Sequence, residues 1–104
     1  AAIPEGNGTM LDNTTIIYFS DVGDKHHASN KEWPFVVLGD MGGKLKSAGQ
    51  YIQYPHKGHT GHHTIASWWM TLLEAVGKTQ DGFGMKDKNV DPQAQRSPLK
   101  ELLG

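Results

Sequence analysis

Three apolar runs stand out from an otherwise polar chain. The first, Thr14-Thr15-Ile16-Ile17-Tyr18-Phe19-Ser20, is rich in β-branched and aromatic residues and lacks a clean alternation. Such a run reads as a strand buried on both faces, as in the middle of a parallel sheet covered by helices. Asp12-Asn13 before it is turn chemistry. The second run, Phe35-Val36-Val37-Leu38, reads as another buried strand, entered through Pro34 and left through Gly39. Tyr51-Ile52-Gln53-Tyr54 alternates and reads as a third strand at an edge.

From Thr64 to Val76 the period changes. Ile65, Trp69, Leu72 and Val76 recur at spacings of four, three and four, which lines one helical face. Trp68 and Leu73 widen that stripe. Thr60 is placed to be the N-cap and Gly77 a left-handed stop. Residues 78–104 read as a loop-rich tail broken by Pro92 and Pro98, closing on a short helical turn over Pro98–Leu103.

Two or three strands, one main helix and long loops do not build the layers that a buried parallel strand requires. One solution is a small open α/β domain. The reading preferred here is an α/β chain, residues 1–104, that forms the C-terminal segment of a doubly wound sheet and is incomplete by itself. Another polypeptide, either the upstream part of the same protein or a partner subunit, then supplies the missing layers.

Composition narrows the chemistry. Ten basic against eleven acidic residues leave no electrostatic footprint for nucleic acid. No apolar run approaches the roughly 20 residues that would span a bilayer. With no cysteine there is no thiolate metal site, disulfide or Cys nucleophile. Thirteen glycines place much of the chain in turns, and six histidines are many for 104 residues. Gly39-Asp40-Met41-Gly42-Gly43 lacks the lysine and Ser/Thr spacing of a phosphate-binding loop, so Gly42-Gly43 reads as a tight turn.

The histidines fall in two clusters. Asp21-Val22-Gly23-Asp24-Lys25-His26-His27 follows the first strand directly, and open α/β sheets gather ligands beyond the carboxyl ends of their strands. Asp21, Asp24, His26 and His27 make a mixed oxygen and nitrogen set that suits zinc, manganese or iron better than calcium. The plain alternative is a solvated turn. His56, His59, His62 and His63 surround Gly58 and Gly61. His59 and His63 share a helix side if the helix starts early, and the positive end of its dipole would keep their imidazoles neutral. Here the alternative is a flexible polar loop.

Taken in order, Gly8-Thr9-Met10-Leu11-Asp12-Asn13-Thr14, Ser20-Asp21-Val22-Gly23-Asp24, His27, Asn30, Pro34–Gly39, Gly42–Lys46, His63, Thr71–Gly77 and Phe83-Gly84 resemble the C-terminal part of the bacterial domain-of-unknown-function 1552 family. The resemblance covers residues 6–103. More distantly, a strand ending in Ser-Asp-x-Gly, a Pro-aliphatic-Gly strand and a Thr-Leu-Leu helix are similar to sulfatases and the alkaline phosphatase superfamily. That resemblance implies a doubly wound α/β sheet with a divalent metal at its strand ends. It implies that Asp21 is a metal ligand and that His27 and His63 ligate or line the site. His59, His62 and Asn30 are further lining residues. The resemblance to the 1552 family implies an exported, periplasmic setting. Val22 stands where the superfamily has a ligating histidine, and its nucleophile has no counterpart in this sequence. Two functions are therefore expected: a segment of a metal-dependent ester hydrolase, active only with the upstream part, or a non-catalytic structural or binding subunit.

Overall fold

The computed structural model describes residues 3–20 and 32–104. The chain is a mixed α/β chain that divides into two compact units, residues 1–50 with Gly104, and Tyr51–Leu103.

The first unit opens with a hairpin of β1 (Pro4–Glu5) and β2 (Gly8–Thr9), paired Pro4 to Thr9 and Glu5 to Gly8. Gly6 takes the first position of the two-residue connection with φ +59, where a side chain would be strained. The Asp12 carboxylate then accepts from the Thr9 N–H at 2.7 Å and the Thr9 hydroxyl at 2.8 Å, closing the next turn. β3 (Ile16–Phe19) and β4 (Phe35–Leu38) are neighbours, as expected. Their pairing is antiparallel, with Ile16 opposite Leu38 and Phe19 opposite Phe35, which corrects the parallel reading. An unbroken apolar run reports what meets the two faces of a strand, not the direction of its neighbour.

Nor are these strands buried within the chain. Ile16, Tyr18, Val36 and Leu38 share one face of the ribbon and are 51%, 75%, 52% and 58% exposed. Ile17 and Val37 on the other face are half-buried, and the Phe19 and Phe35 rings meet there at 5.6 Å. Among the described residues the strands form two two-stranded antiparallel sheets.

Gly39 ends β4 as expected, with φ +95. A Cβ there would lie 2.3 Å from the Thr14 carbonyl oxygen. The loop is tied back by the Met41 N–H to the Thr15 hydroxyl at 2.8 Å and by the Ser47 hydroxyl to the Gly39 carbonyl at 2.6 Å. Gly42 and Gly43 do form a turn, with φ +68 and +83, and it leads into the buried Leu45.

In the second unit, Tyr51–Tyr54 forms no strand and joins neither sheet, which corrects the edge-strand reading. Helix α1 runs Ile65–Ala75, with Thr64 and not Thr60 at its N-cap. Turns closed by His59 N–H to His56 carbonyl and His62 N–H to His59 carbonyl occupy the preceding residues, and Gly61 at φ +85 breaks any earlier start. At the far end the Gly77 N–H reaches the Glu74 carbonyl at 2.9 Å and the Lys78 N–H the Leu73 carbonyl at 2.8 Å. With Gly77 at φ +75 this is the glycine-terminated Schellman stop.

The buried side of α1 differs from the predicted stripe. Ser67, Trp68, Met70 and Thr71 are buried, whereas Val76 is 46% exposed. Trp69 is half-buried, its ring 6.1 Å from Phe83 of the tail. The buried side faces α2 (Pro92–Arg96), where the sequence pattern predicts loop. Five residues are too few to show a period, but Asp91-Pro92 is a capping signal: the Asp91 carboxylate accepts the Gln93 N–H at 2.8 Å. A 3-10 turn at Lys100–Leu102 closes the unit, within the expected Pro98–Leu103 segment. Among the described residues no helix is long and apolar enough to cross a membrane.

Candidate functional site

Asp21, Asp24, His26, His27 and Asn30 lie outside the described residues. Of the second cluster, His59 is exposed in the turn before α1. It does not share a helix side with His63, because both precede the helix. His62 is half-buried, with Nδ1 3.2 Å from the Pro55 carbonyl oxygen. Among the described residues no three His, Asp or Glu side chains converge to hold a metal ion.

His63 has the most constructed environment of the three. It stands one residue before the Thr64 cap, so its ring lies beside the first turn of α1, with Nδ1 3.4 Å from the Ser67 hydroxyl oxygen. The Tyr54 ring meets it edge to face, centroids 5.0 Å apart at 76°. The Tyr54 hydroxyl in turn donates to Oε1 of Glu101, from the closing 3-10 turn, at 2.5 Å. Three segments that are distant in sequence thus meet around one imidazole.

The electrostatics follow from that contact set. Burial, then the hydrogen bond to Glu101 and the charge of its carboxylate, push the Tyr54 hydroxyl well above the usual phenol range. Burial works to raise the Glu101 carboxyl. The Tyr54 hydrogen bond, its own backbone N–H and the charge of His63 outweigh burial and hold it below the ordinary value. The result is an ionised carboxylate and a neutral phenol next to an imidazole. The Ser67 hydroxyl beside this group has no exposed surface and donates to the Ala94 carbonyl at 3.0 Å.

A metal of the kind the sequence suggests would find one suitably built donor here. Imidazole nitrogen suits zinc, manganese and iron, and metal-bound histidines ordinarily have their second ring nitrogen hydrogen-bonded, as Nδ1 of His63 is. Tyr54, Ser67 and Glu101 are the residues that sequence reasoning missed. Tyr54 was masked by its apparent strand, and Glu101 lies in a tail with no periodic signal.

The first unit holds an open groove lined by Glu5, Asp12, Asn13 and Asp40 among others. Two of its carboxylates are already committed: Asp12 to Thr9, whose backbone N–H and then hydroxyl lower its pKa, and Glu5 to the Asn13 amide at 2.8 Å. These bonds hold the hairpin and its turn.

No protein-family model, curated protein or solved structure matches this chain.

Proposed function

We propose that the chain works as the C-terminal segment of an exported, metallohydrolase-like α/β protein, seated on another polypeptide through β3–β4 and contributing loops to a metal site. The observation that carries this reading is the exposed apolar face of Ile16, Tyr18, Val36 and Leu38. Four large apolar side chains on one face of a two-stranded ribbon are a docking surface in search of a layer, since such ribbons are marginal alone. A helix or further strands laid on that face would complete the layered arrangement that the doubly wound fold requires.

Support for the metal half comes from His63, held beside Ser67, Tyr54 and Glu101, and from the Asp21–His27 cluster in the sequence. A bound divalent metal would supply Lewis-acid polarisation of a phosphate or sulfate ester oxygen and activation of the attacking group. The candidate ligands for such a metal are His63 in the second unit and, from the sequence, Asp21, Asp24, His26 and His27.

The test is intact mass with a metal assay on native material, repeated for Asp21→Ala and His63→Ala. A larger bound polypeptide and metal lost in both variants is the expected result. A bound polypeptide without metal would leave the rival reading, a non-catalytic structural or binding subunit, which Val22 at the position of a ligating histidine favours. A metal-free chain with no bound polypeptide would reject both.

A further inference from the structure

Asn7 closes the connection between β1 and β2, and Gly8 begins β2. Of the four asparagines in the chain, only Asn7 is followed by glycine. Asn7 and Gly8 are both exposed, and among the described residues the Asn7 side-chain amide has no hydrogen-bond partner. Asn13 differs on both counts: its amide donates to Oε2 of Glu5 at 2.8 Å, and β-branched Thr14 follows it. Asn89 precedes Val90, which is also branched.

The fold itself keeps glycine at position 8. A Cβ there would lie 2.9 Å from Oδ2 of Asp12. That oxygen is not free to swing away, since it accepts the Thr9 N–H at 2.7 Å and the Thr9 hydroxyl at 2.8 Å. The turn after β2 therefore demands a residue without a side chain, which leaves the Gly8 nitrogen unshielded beside a thermolabile asparagine amide.

We propose that Asn7 is a site of self-modification, at which the Gly8 main-chain nitrogen attacks the Asn7 side-chain carbonyl carbon and converts the residue to aspartate and isoaspartate. The new bond closes a succinimide ring, and the side-chain nitrogen leaves as ammonia with the proton that Gly8 gives up. Water then opens the ring. Breaking the bond to the side-chain carbon yields aspartate. Breaking the bond to the main-chain carbon yields isoaspartate, whose backbone runs through the former side chain. The reaction needs no metal, partner chain or oxidant.

Both products act on the same hairpin. Each places a new carboxylate on the groove that Asn7 lines with Glu5, Asp12 and Asp40. Isoaspartate also lengthens the connection by one main-chain carbon. A two-residue connection fixes strand register, so the pairing of Pro4 with Thr9 and Glu5 with Gly8 is lost. The hairpin thus has a lifetime set by its own turn chemistry.

Incubation of the full chain at mildly alkaline pH, which eases loss of the Gly8 amide proton, followed by intact mass and peptide mapping, reads the reaction. The expected result is the mass gain of an amide turned carboxyl, mapped to residue 7, while the Asn13 and Asn89 amides persist. Asn7→Gln, which would have to close a larger ring, should show no such gain. The product should be split between aspartate and isoaspartate, and the isoaspartyl chain should lose the cross-strand proximity of Pro4 and Thr9 in proton spectra. If the folded chain keeps its Asn7 amide over the time in which the urea-unfolded chain loses it, the hairpin protects the pair and the proposal is wrong. Earlier loss at Asn13 or Asn89 also overturns it. An isoaspartyl chain with Pro4 still against Thr9 overturns the loss of register.

Discussion

The hydroxyl of Thr71, midway along α1, accepts the backbone N–H of Leu99 at 2.8 Å while donating to the Ser67 carbonyl at 2.7 Å. Thr71 has no exposed surface and Leu99 is 5% exposed, so water cannot replace either bond. Thr71→Val keeps the shape of the side chain and leaves the Leu99 N–H buried without its acceptor. The expected loss is about 1–3 kcal/mol, seen as a lower urea midpoint with an unchanged slope. Thr71→Ser, which keeps the hydroxyl, should cost clearly less.

Gly39→Ala should open the β3–β4 ribbon. The new Cβ would meet the Thr14 carbonyl oxygen at 2.3 Å and the Thr15 Cα at 3.2 Å, both backbone atoms that cannot swing aside. Gly43→Ala is the matched control: its φ of +83 is similarly strained, but nothing lies within 4 Å of its Cβ. The control should pay only the left-handed backbone cost of about 1–2 kcal/mol. Amide hydrogen exchange should rise across Ile16–Phe19 and Phe35–Leu38 in Gly39→Ala and far less in Gly43→Ala.

The Tyr54–Glu101 pair predicts losses of stability at both ends of the pH scale. Glu101 has a lowered pKa when folded, so its contribution is present above the ordinary carboxylate range, about 4.3 for glutamate, and is lost as pH falls through the lowered value. Tyr54 has a raised one, so its contribution is present below about 10 and is lost as pH rises through the raised value. Tyr54→Phe should flatten both limbs of a stability-against-pH curve from chemical denaturation. Unchanged limbs would show that the pair is not coupled to folding.

On its own the chain should self-associate through the face of Ile16, Tyr18, Val36 and Leu38. Sedimentation velocity should show a weight-average mass that rises with concentration. Tyr18→Lys with Leu38→Glu, two exposed positions on that face, should return it to the monomer, because charges on an open ribbon oppose edge and face pairing. A concentration-independent monomer for the wild-type chain would count against the docking surface.

Much of the architecture was legible where physics acts locally. Gly77 stops α1 because left-handed backbone is nearly free only for glycine, and Pro34 and Gly39 bracket β4 for related reasons. The direction of strand pairing was not legible, since Ile16–Phe19 and Phe35–Leu38 carry the same composition in either orientation. The face of α1 was misread because hydropathy marks Ser67 and Thr71 as polar and therefore outward. Their buried hydroxyls have partners from Ala94 and Leu99, more than twenty residues away, which no local pattern encodes. His63 was singled out from the sequence. Tyr54 and Glu101, which give it an environment, come together only through the closing of the unit.

That polar seam also sets how this unit can vary. Trp68 and Met70 are held by bulk and apolar contact, and at Met70 leucine or isoleucine can fill a similar volume. Positions 67 and 71 have no such latitude: each must be small enough to vanish from the surface and must carry a hydroxyl aimed at a fixed backbone atom. In a library randomised across α1, survivors should drift widely at the greasy positions. They should remain almost monotonous at the two that a hydropathy profile would have marked as expendable.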